Sequence, residues 1–320
     1  MELYNQLRAR LKEYGAECRI VSASHIPDLE AEYNLSLANS QIDKQFLKTC
    51  IHNYIDFSVQ KRYLSIRSLI IIATPSPQVG IEFCYDGTTH SLIIPPHYSD
   101  RIEVTGNVKN ITSQIFDSNG YRTFSLVLPK KLLAVRSGLA KYGKNNISYV
   151  SGMGSYHRLT VFASDLPCDE DSWQNLQLLE RCSKCKACQN NCPTAAIVAD
   201  HFLIKAERCI TYANEQLEPF PKWIDSKSHN SIIGCMRCQS ICPENKKYKS
   251  SVINKDKFSE TETGLILKGF PFEELPEKLQ LKLSKLSLKR YYKHLSRNIK
   301  VLIENANIRK DKNMYHGKSQ

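Results

Sequence analysis

The hydrophobic positions change period several times along the chain, and each change marks an element. Over residues 1 to 15, Leu3, Leu7, Leu11 and Tyr14 recur at helical spacing and predict an amphipathic opening helix. The run Leu69-Ile70-Ile71-Ile72-Ala73, stopped by Pro75 and Pro77, predicts a buried strand. Ile81, Phe83 and Tyr85 then alternate with polar residues as far as Asp86-Gly87, and Leu92 and Ile94 follow before Pro95-Pro96. Asp-Gly supplies the positive φ angles of a tight turn, so this segment is expected to be a β-hairpin. Val108, Ile111 and Ile115 predict a helix closed by Asn119-Gly120. Pro129 opens another, with Leu128, Leu132, Val135 and Leu139 on one face and Gly143 past its end. Ile147, Tyr149, Leu159, Val161 and Ala163 return to strand-like alternation, which makes the first 165 or so residues a mixed α/β domain.

Apolar periodicity fades between about 175 and 250, so that region must be organised by something other than a hydrophobic core. Helical spacing resumes beyond 260, in Leu279, Leu283 and Leu286 and then in Leu288, Tyr292, Leu295, Ile299 and Leu302, with Ser287 as the expected N-cap of the second segment. The expected architecture is α+β in three parts. Residues 1–170 form an α/β domain, residues 171–250 a ferredoxin-like domain carrying two clusters, and residues 251–320 a short basic helical segment.

A length of 320 residues allows about two domains. With 42% hydrophobic residues the chain can pack a core, which excludes wholesale disorder. No apolar run approaches the roughly 20 residues of a membrane span, so no membrane partner is expected. The N-terminus mixes acidic and basic residues and has no apolar signal core, which implies a cytoplasmic location. The net charge of +12 is concentrated at one end, because residues 246 to 320 hold 18 Lys and Arg against 8 Asp and Glu.

Eight of the twelve cysteines fall between Cys182 and Cys242, and their spacing states the chemistry. The first motif is Cys182-x2-Cys185-x2-Cys188-x3-Cys192-Pro193. Three thiolates two residues apart can wrap one corner of an iron-sulfur cube, while the fourth, carried away before proline, points at a second cluster. The second motif, Cys235-x2-Cys238-x3-Cys242-Pro243, is one cysteine short, and Cys209 can fill that vacancy. In two-cluster ferredoxins the cysteine before proline ligates the other cluster. Carried over to this chain, that exchange assigns Cys182, Cys185, Cys188 and Cys242 to one 4Fe-4S cluster, and Cys192, Cys209, Cys235 and Cys238 to the other.

Structural zinc also uses cysteine pairs, but it needs separated pairs giving four tetrahedral ligands, which the third cysteine and the following Cys-Pro suit poorly. Disulfides do not suit a reducing compartment. Cys18, Cys50, Cys84 and Cys168 are scattered and are expected to be plain thiols. Two oxidised cubes with their thiolates would contribute roughly −2 apiece, offsetting part of the basic excess. Two linked clusters make an electron wire, so the remainder of the chain must supply an acceptor or a substrate site. Gly152-Met153-Gly154-Ser155-Tyr156-His157 begins like a dinucleotide loop but lacks the third glycine. The chain also has no Asp-x-His-x-x-Gly cobalamin-ligand motif and no Gly-x-Ser-x-Gly nucleophile elbow.

The segments AVRSGLAKYGKNN (Ala134 to Asn146), GSYHRLTVFASDLP (Gly154 to Pro167), CSKCKACQNNCPTAAI (Cys182 to Ile197), AERCITYANE (Ala206 to Glu215) and GCMRCQSICPENK (Gly234 to Lys246) resemble the epoxyqueuosine reductase family, itself related to corrinoid reductive dehalogenases. The likeness is concentrated between residues 134 and 246. It implies a cobalamin held base-off between the N-terminal domain and the cluster domain and reduced through the clusters, with Lys144, Asn145, Ser155 and His157 on the wall of its site. It also implies reduction of the epoxide of a modified tRNA nucleoside, an electron donor such as ferredoxin or flavodoxin, and a basic C-terminal segment suited to tRNA phosphates. Where the family has a proton-donating aspartate about ten residues before the alanine matching Ala134, this chain has Phe124. The arginine expected shortly after corresponds to Lys131, and Asp117 or Tyr121 are the candidate substitutes for the missing acid. The alternative is a ferredoxin-like electron-transfer protein with no substrate site of its own.

Overall fold

The computed structural model describes residues 2–40, 42–46, 55–59, 65–98, 101–199, 203–250 and 252–316. Helix α1 (Glu2–Lys12), strand β1 (Glu17–Ser22) and helix α2 (Ile26–Ala38) lead to the long strand β2 (Ser68–Pro75). The hairpin strands β3 (Gln78–Tyr85) and β4 (Thr88–Ile94) follow, then helix α3 (Arg101–Asp117), the short β5 (Thr123–Ser125) and helix α4 (Lys130–Arg136). Strands β6 (Ala140–Tyr142), β7 (Ser148–Val150) and β8 (His157–Ser164) complete the N-terminal half. The cysteine region contains helix α5 (Ile210–Glu215), and the chain closes with β9 (Val252–Phe258), α6 (Glu260–Lys268), α7 (Glu277–Lys285) and α8 (Tyr292–His316).

The main sheet is antiparallel in the order β1-β2-β8-β5. Leu69, Ile71 and Ala73 of β2 face one core with α2 and α4, while Ile70 and Ile72 face another with α1 and α3. A strand covered by helices on both sides has no solvent face to mark with polar residues, which explains its unbroken apolar run. Helix α1 lays Tyr4, Leu7 and Leu11 on the sheet, as its spacing requires. The hairpin turns at Asp86 (φ 52°) and Gly87 (φ 63°), and the chain leaves α3 through Gly120 at φ 79°.

Two sequence expectations are corrected. The helix opened by Pro129 ends at Arg136, not near Gly143. Gly138 stops it at φ 73°, where a Cβ would lie 2.7 Å from Gln174 Nε2, and Gly143 sits instead in the loop between β6 and β7. Ser287 does not start the last helical segment. It closes α7 in the left-handed region at φ 58°, and Leu288 N–H donates to Leu283 O at 2.9 Å. A short 3₁₀ turn, Lys289–Tyr291, then leads into α8.

The C-terminal segment contributes a strand as well as helices. β9 pairs in parallel with β3, giving a second sheet in the order β4-β3-β9 that packs under α6, α7 and α8. Phe258 of β9 stacks on Phe83 of β3, with ring centroids 4.6 Å apart and planes 5° from parallel. The hairpin expected within the N-terminal domain therefore shares its core with the C-terminal helices. Among the described residues no helix is long and apolar enough to cross a membrane. Because Phe258 is fully buried at this junction, Phe258→Ala is expected to lower stability by about 3–5 kcal/mol, measured as a shifted midpoint in chemical denaturation.

Candidate functional site

The cysteine region folds as short turns, because little there can be held by apolar packing. Cys182 lies in the 3₁₀ turn Glu180–Ser183, Cys188 in the single helical turn Ala187–Asn190 and Cys238 in its counterpart Arg237–Ser240. Cys209 stands at the N-cap of α5. Neighbouring thiols group loosely into two sets. Cys182 is influenced by Cys242 and Cys185, and Cys188 by Cys182, Cys242 and Cys185. Cys235 is influenced by Cys209 and Cys192, and Cys238 chiefly by Cys235 and Cys209 but also by Cys188 of the first set. Among the described residues no three His, Cys, Asp or Glu side chains converge as a single metal ion would require.

Burial opposes ionisation of these thiols. It pushes Cys188 and Cys235 up to about 11, Cys238 well above the ordinary thiol value, and Cys182 and Cys209 upward. Hydrogen-bond donors work in the other direction. Asn230 Nδ2 donates to Cys235 Sγ at 3.2 Å, and the backbone of Arg237 approaches the same sulfur at 3.5 Å. Thr211 and the Tyr212 backbone serve Cys209, the Lys144 backbone serves Cys182 and the Asn145 side chain serves Cys238. Donors aimed at sulfur are what thiolate ligands of a cluster require, so the donor set fits two cubes.

A cavity of about 490 Å³ adjoins one set only. Cys192, Cys209, Cys235 and Cys238 line it, and Cys182, Cys185, Cys188 and Cys242 do not. Its opposite wall comes from the first turn of α4, the β6–β7 loop, the start of β8 and the residues after β4. Among the described residues no carboxylate lines it, whereas Lys130, Lys131, Arg158 and Arg237 do. Lys131 Nζ donates to Asn146 O at 2.8 Å and to Asn146 Oδ1 at 3.1 Å. Lys131 is exposed to solvent at the cavity, and partial desolvation there lowers it to about 8, against the opposing pull of Cys209 and Cys238.

The four residues expected on the cofactor wall divide evenly. Asn145 and His157 line the cavity. Lys144 and Ser155 do not. Lys144 Nζ lies 3.4 Å from Cys185 O, beside the other set. Ser155 is buried in a network that docks the N-terminal half on the cluster loops. Its Oγ donates to Gln239 Oε1 at 2.9 Å and accepts from Asn245 Nδ2 at 2.8 Å, while its N–H meets Asn245 Oδ1 at 2.9 Å. Beside it, Gly154 has φ 58°, and a Cβ there would lie 2.5 Å from Asn245 Oδ1. The glycine pair that begins like a nucleotide loop is therefore a close backbone contact between two parts of the fold.

Phe124 stands on the edge strand β5, packed against the core with the Arg122 guanidinium 5.7 Å from its ring centroid, and does not line the cavity. Neither Asp117 nor Tyr121 lines it. Cys18 is buried, Cys84 and Cys168 are half-buried, and Cys50 lies outside the described residues. Sequence reasoning missed Tyr149, His97 and Asn230. Tyr149 read only as a strand position, and a lone asparagine five residues before Cys235 carries no motif.

His157 is neutral and fully satisfied. Its Nδ1–H donates to Gly154 O at 3.0 Å, and its Nε2 accepts from Ser148 Oγ at 3.1 Å. Burial lowers it to about 4, and the neighbouring His97 ring lies 6.4 Å away. As pH falls from about 6.5 to about 4, the unfolded chain gains a proton at position 157 that the folded chain refuses, so stability falls over that window. The expected loss from this residue is about 3 kcal/mol, and chemical denaturation across the range should show a shallower pH slope in His157→Gln.

A family model described as a 4Fe-4S double cluster binding domain matches residues 181–245. The epoxyqueuosine reductase of Yersinia pestis is 35% identical over 188 residues, covering 57% of this chain and 43% of that protein. The Escherichia coli epoxyqueuosine reductase is 27% identical over 264 residues, covering 76% of this chain and 66% of that protein. The chain thus spans only part of the length of these curated relatives. Among solved structures, epoxyqueuosine reductase from Streptococcus thermophilus superimposes with a TM-score of 0.66 at 19% identity, covering 96% of this chain and 82% of that one. An epoxyqueuosine reductase bound to an epoxyqueuosine-modified tRNA stem loop gives 0.64 at 19% identity, covering 95% and 81%. The chain is thus similar in sequence to epoxyqueuosine reductases over part of their length and shares their fold, and its cysteine region matches a double-cluster binding domain.

Proposed function

We propose that this chain is a cytoplasmic iron-sulfur reductase that passes electrons through two 4Fe-4S clusters to a cobalamin in the 490 Å³ cavity, for reductive chemistry on a modified base of tRNA. The outer cluster is assigned to Cys182, Cys185, Cys188 and Cys242, and the inner one to Cys192, Cys209, Cys235 and Cys238. The observation that carries the reading is that the whole inner set forms one wall of a cavity whose opposite wall is built by the N-terminal domain. A pure electron carrier needs no such chamber beside its inner cluster. The cavity lies within the range of small-molecule sites, and the residues on its two walls would hold the corrinoid.

When bound, the clusters supply stored single electrons and the corrinoid a strongly reducing metal centre. The chain's own residues supply the rest. With no carboxylate among the described residues of the wall, Lys131 Nζ holds the proton that the family's aspartate would carry, and Asn146 fixes its position. The outer set lies beneath the exposed Lys184, Lys186, Lys246 and Lys247, which suits an acidic donor such as ferredoxin or flavodoxin. Exposed Lys278, Lys285, Lys289, Arg290, Lys293 and Lys300 offer phosphate contacts to tRNA. The relatives' names and the tRNA-bound structure support this choice of substrate.

Anaerobic reconstitution with iron, sulfide and cobalamin tests the proposal. The protein should bind about eight irons and should shift the absorption spectrum of added cobalamin towards the base-off form. On tRNA bearing the epoxide, Lys131→Met should lower turnover by about 100-fold or more while retaining its iron. A cobalamin spectrum left unchanged by the loaded protein would remove the cofactor and leave the electron-carrier reading in its place.

A further inference from the structure

The loop between β6 and β7 presents two buried polar side chains whose partners belong to different cysteine sets. Asn145 is 4% exposed and Tyr149 is 5% exposed. Asn145 Nδ2 donates to the Tyr149 hydroxyl at 3.0 Å, and Asn145 Oδ1 accepts from Ile147 N–H at 3.4 Å, which fixes the amide's orientation. The same side chain neighbours Cys238, and the Tyr149 hydroxyl neighbours Cys242. With thiolates at both positions, one amide hydrogen would serve the phenol oxygen and the other Cys238 Sγ, leaving the phenol hydrogen for Cys242 Sγ, and both ends of the chain would donate to sulfur.

Gly143 makes the arrangement possible. A Cβ there would lie 2.5 Å from Tyr149 Cε2 and 2.6 Å from Asn145 Oδ1, so only glycine admits both side chains at this distance.

We propose that Asn145 and Tyr149 form a hydrogen-bonded bridge between a ligand of the outer cluster and a ligand of the inner cluster, and that it raises and couples their reduction potentials. The proposal rests on the assignment of the two cysteine sets to two clusters. A donor aimed at a ligand sulfur stabilises the more negative, reduced form, so its removal lowers the potential. Because the amide donates to the phenol oxygen, it holds the hydroxyl in the rotamer that meets Cys242. Loss of Asn145 is therefore felt at both clusters, and loss of the hydroxyl chiefly at one.

Redox titration followed by electron paramagnetic resonance on the full chain, purified without oxygen, reads each cluster separately. Tyr149→Phe keeps the ring and is expected to disfavour reduction of one cluster by about tenfold, roughly 59 mV for a one-electron couple, with the other unmoved and the iron content unchanged. Asn145→Ala should lower both midpoints, and the double variant should shift the outer cluster by less than the sum of the single effects. Unchanged midpoints in a fully loaded Tyr149→Phe protein would overturn the bridge. Should Asn145→Ala fail to take up iron, Tyr149→Phe alone decides. If the unmodified protein carries fewer than two 4Fe-4S signals, the cluster assignment itself falls and the bridge with it, a result distinct from unshifted potentials.

Discussion

Burying thiolates is the constraint on which the rest of this structure depends. Removal from water favours the neutral thiol, whereas a cluster ligand must be ionised, and hydrophobic packing cannot settle that conflict. Oriented donors settle it. The short turns around Cys188, Cys209 and Cys238 leave backbone N–H groups free of long-helix partners, and Asn230, Asn145, Thr211 and Tyr149 add side-chain donors. A region with so few apolar contacts also needs an external frame. Ser155, Gln239 and Asn245 provide one, locking the cluster loops onto the end of the main sheet through buried bonds that leave no polar atom of the trio idle.

The cavity depends on that dock. Its walls come from Lys131 on α4, the Asn145–Ser148 loop, His157 on β8 and His97 beyond β4, which are distant in sequence and meet only because β2 and β8 pair along their full length. The strands give the N-terminal wall a rigid footing, and the cysteine loops form the other wall. A shift of the dock would move inner cluster and chamber together. Phe124 belongs to the packed edge of the sheet and does not line the chamber.

Much of this was legible in the sequence wherever a short-range rule applied. The alternation before Asp86-Gly87 and the spacing of Leu3, Leu7 and Leu11 each encode local geometry, and each produced the expected element. Long-range choices were not legible. Nothing in Val252–Phe258 announces that it pairs with β3, because a parallel partner 170 residues away leaves no local period. Gly138 and Gly143 look alike in sequence, yet one stops a helix at positive φ and the other makes room for two side chains. Of the four residues expected around a cofactor, Ser155 and Lys144 were misplaced for the same reason. A polar residue near a motif can face the cavity, the dock or the other cluster, and only tertiary contacts distinguish these.

Charge links the two walls of the chamber. An oxidised cube with four thiolates carries about −2 and becomes more negative on reduction, and the opposite wall presents Lys131, Lys130 and Arg158 with no carboxylate among the described lining residues. In a poorly hydrated space those cations stabilise each added electron more than they would in water. Under the proposed function the basic wall would ease reduction of the inner cluster and leave the ammonium of Lys131 as a proton source facing it. Because desolvation already weakens the amine's hold on its proton, and Asn146 offers it only neutral acceptors, that proton can be released when a negative charge develops in the cavity. An acidic residue on the same wall would repel the reduced cluster; a lysine does not, and this is the electrostatic sense in which Lys131 suits a site from which the family's aspartate is absent.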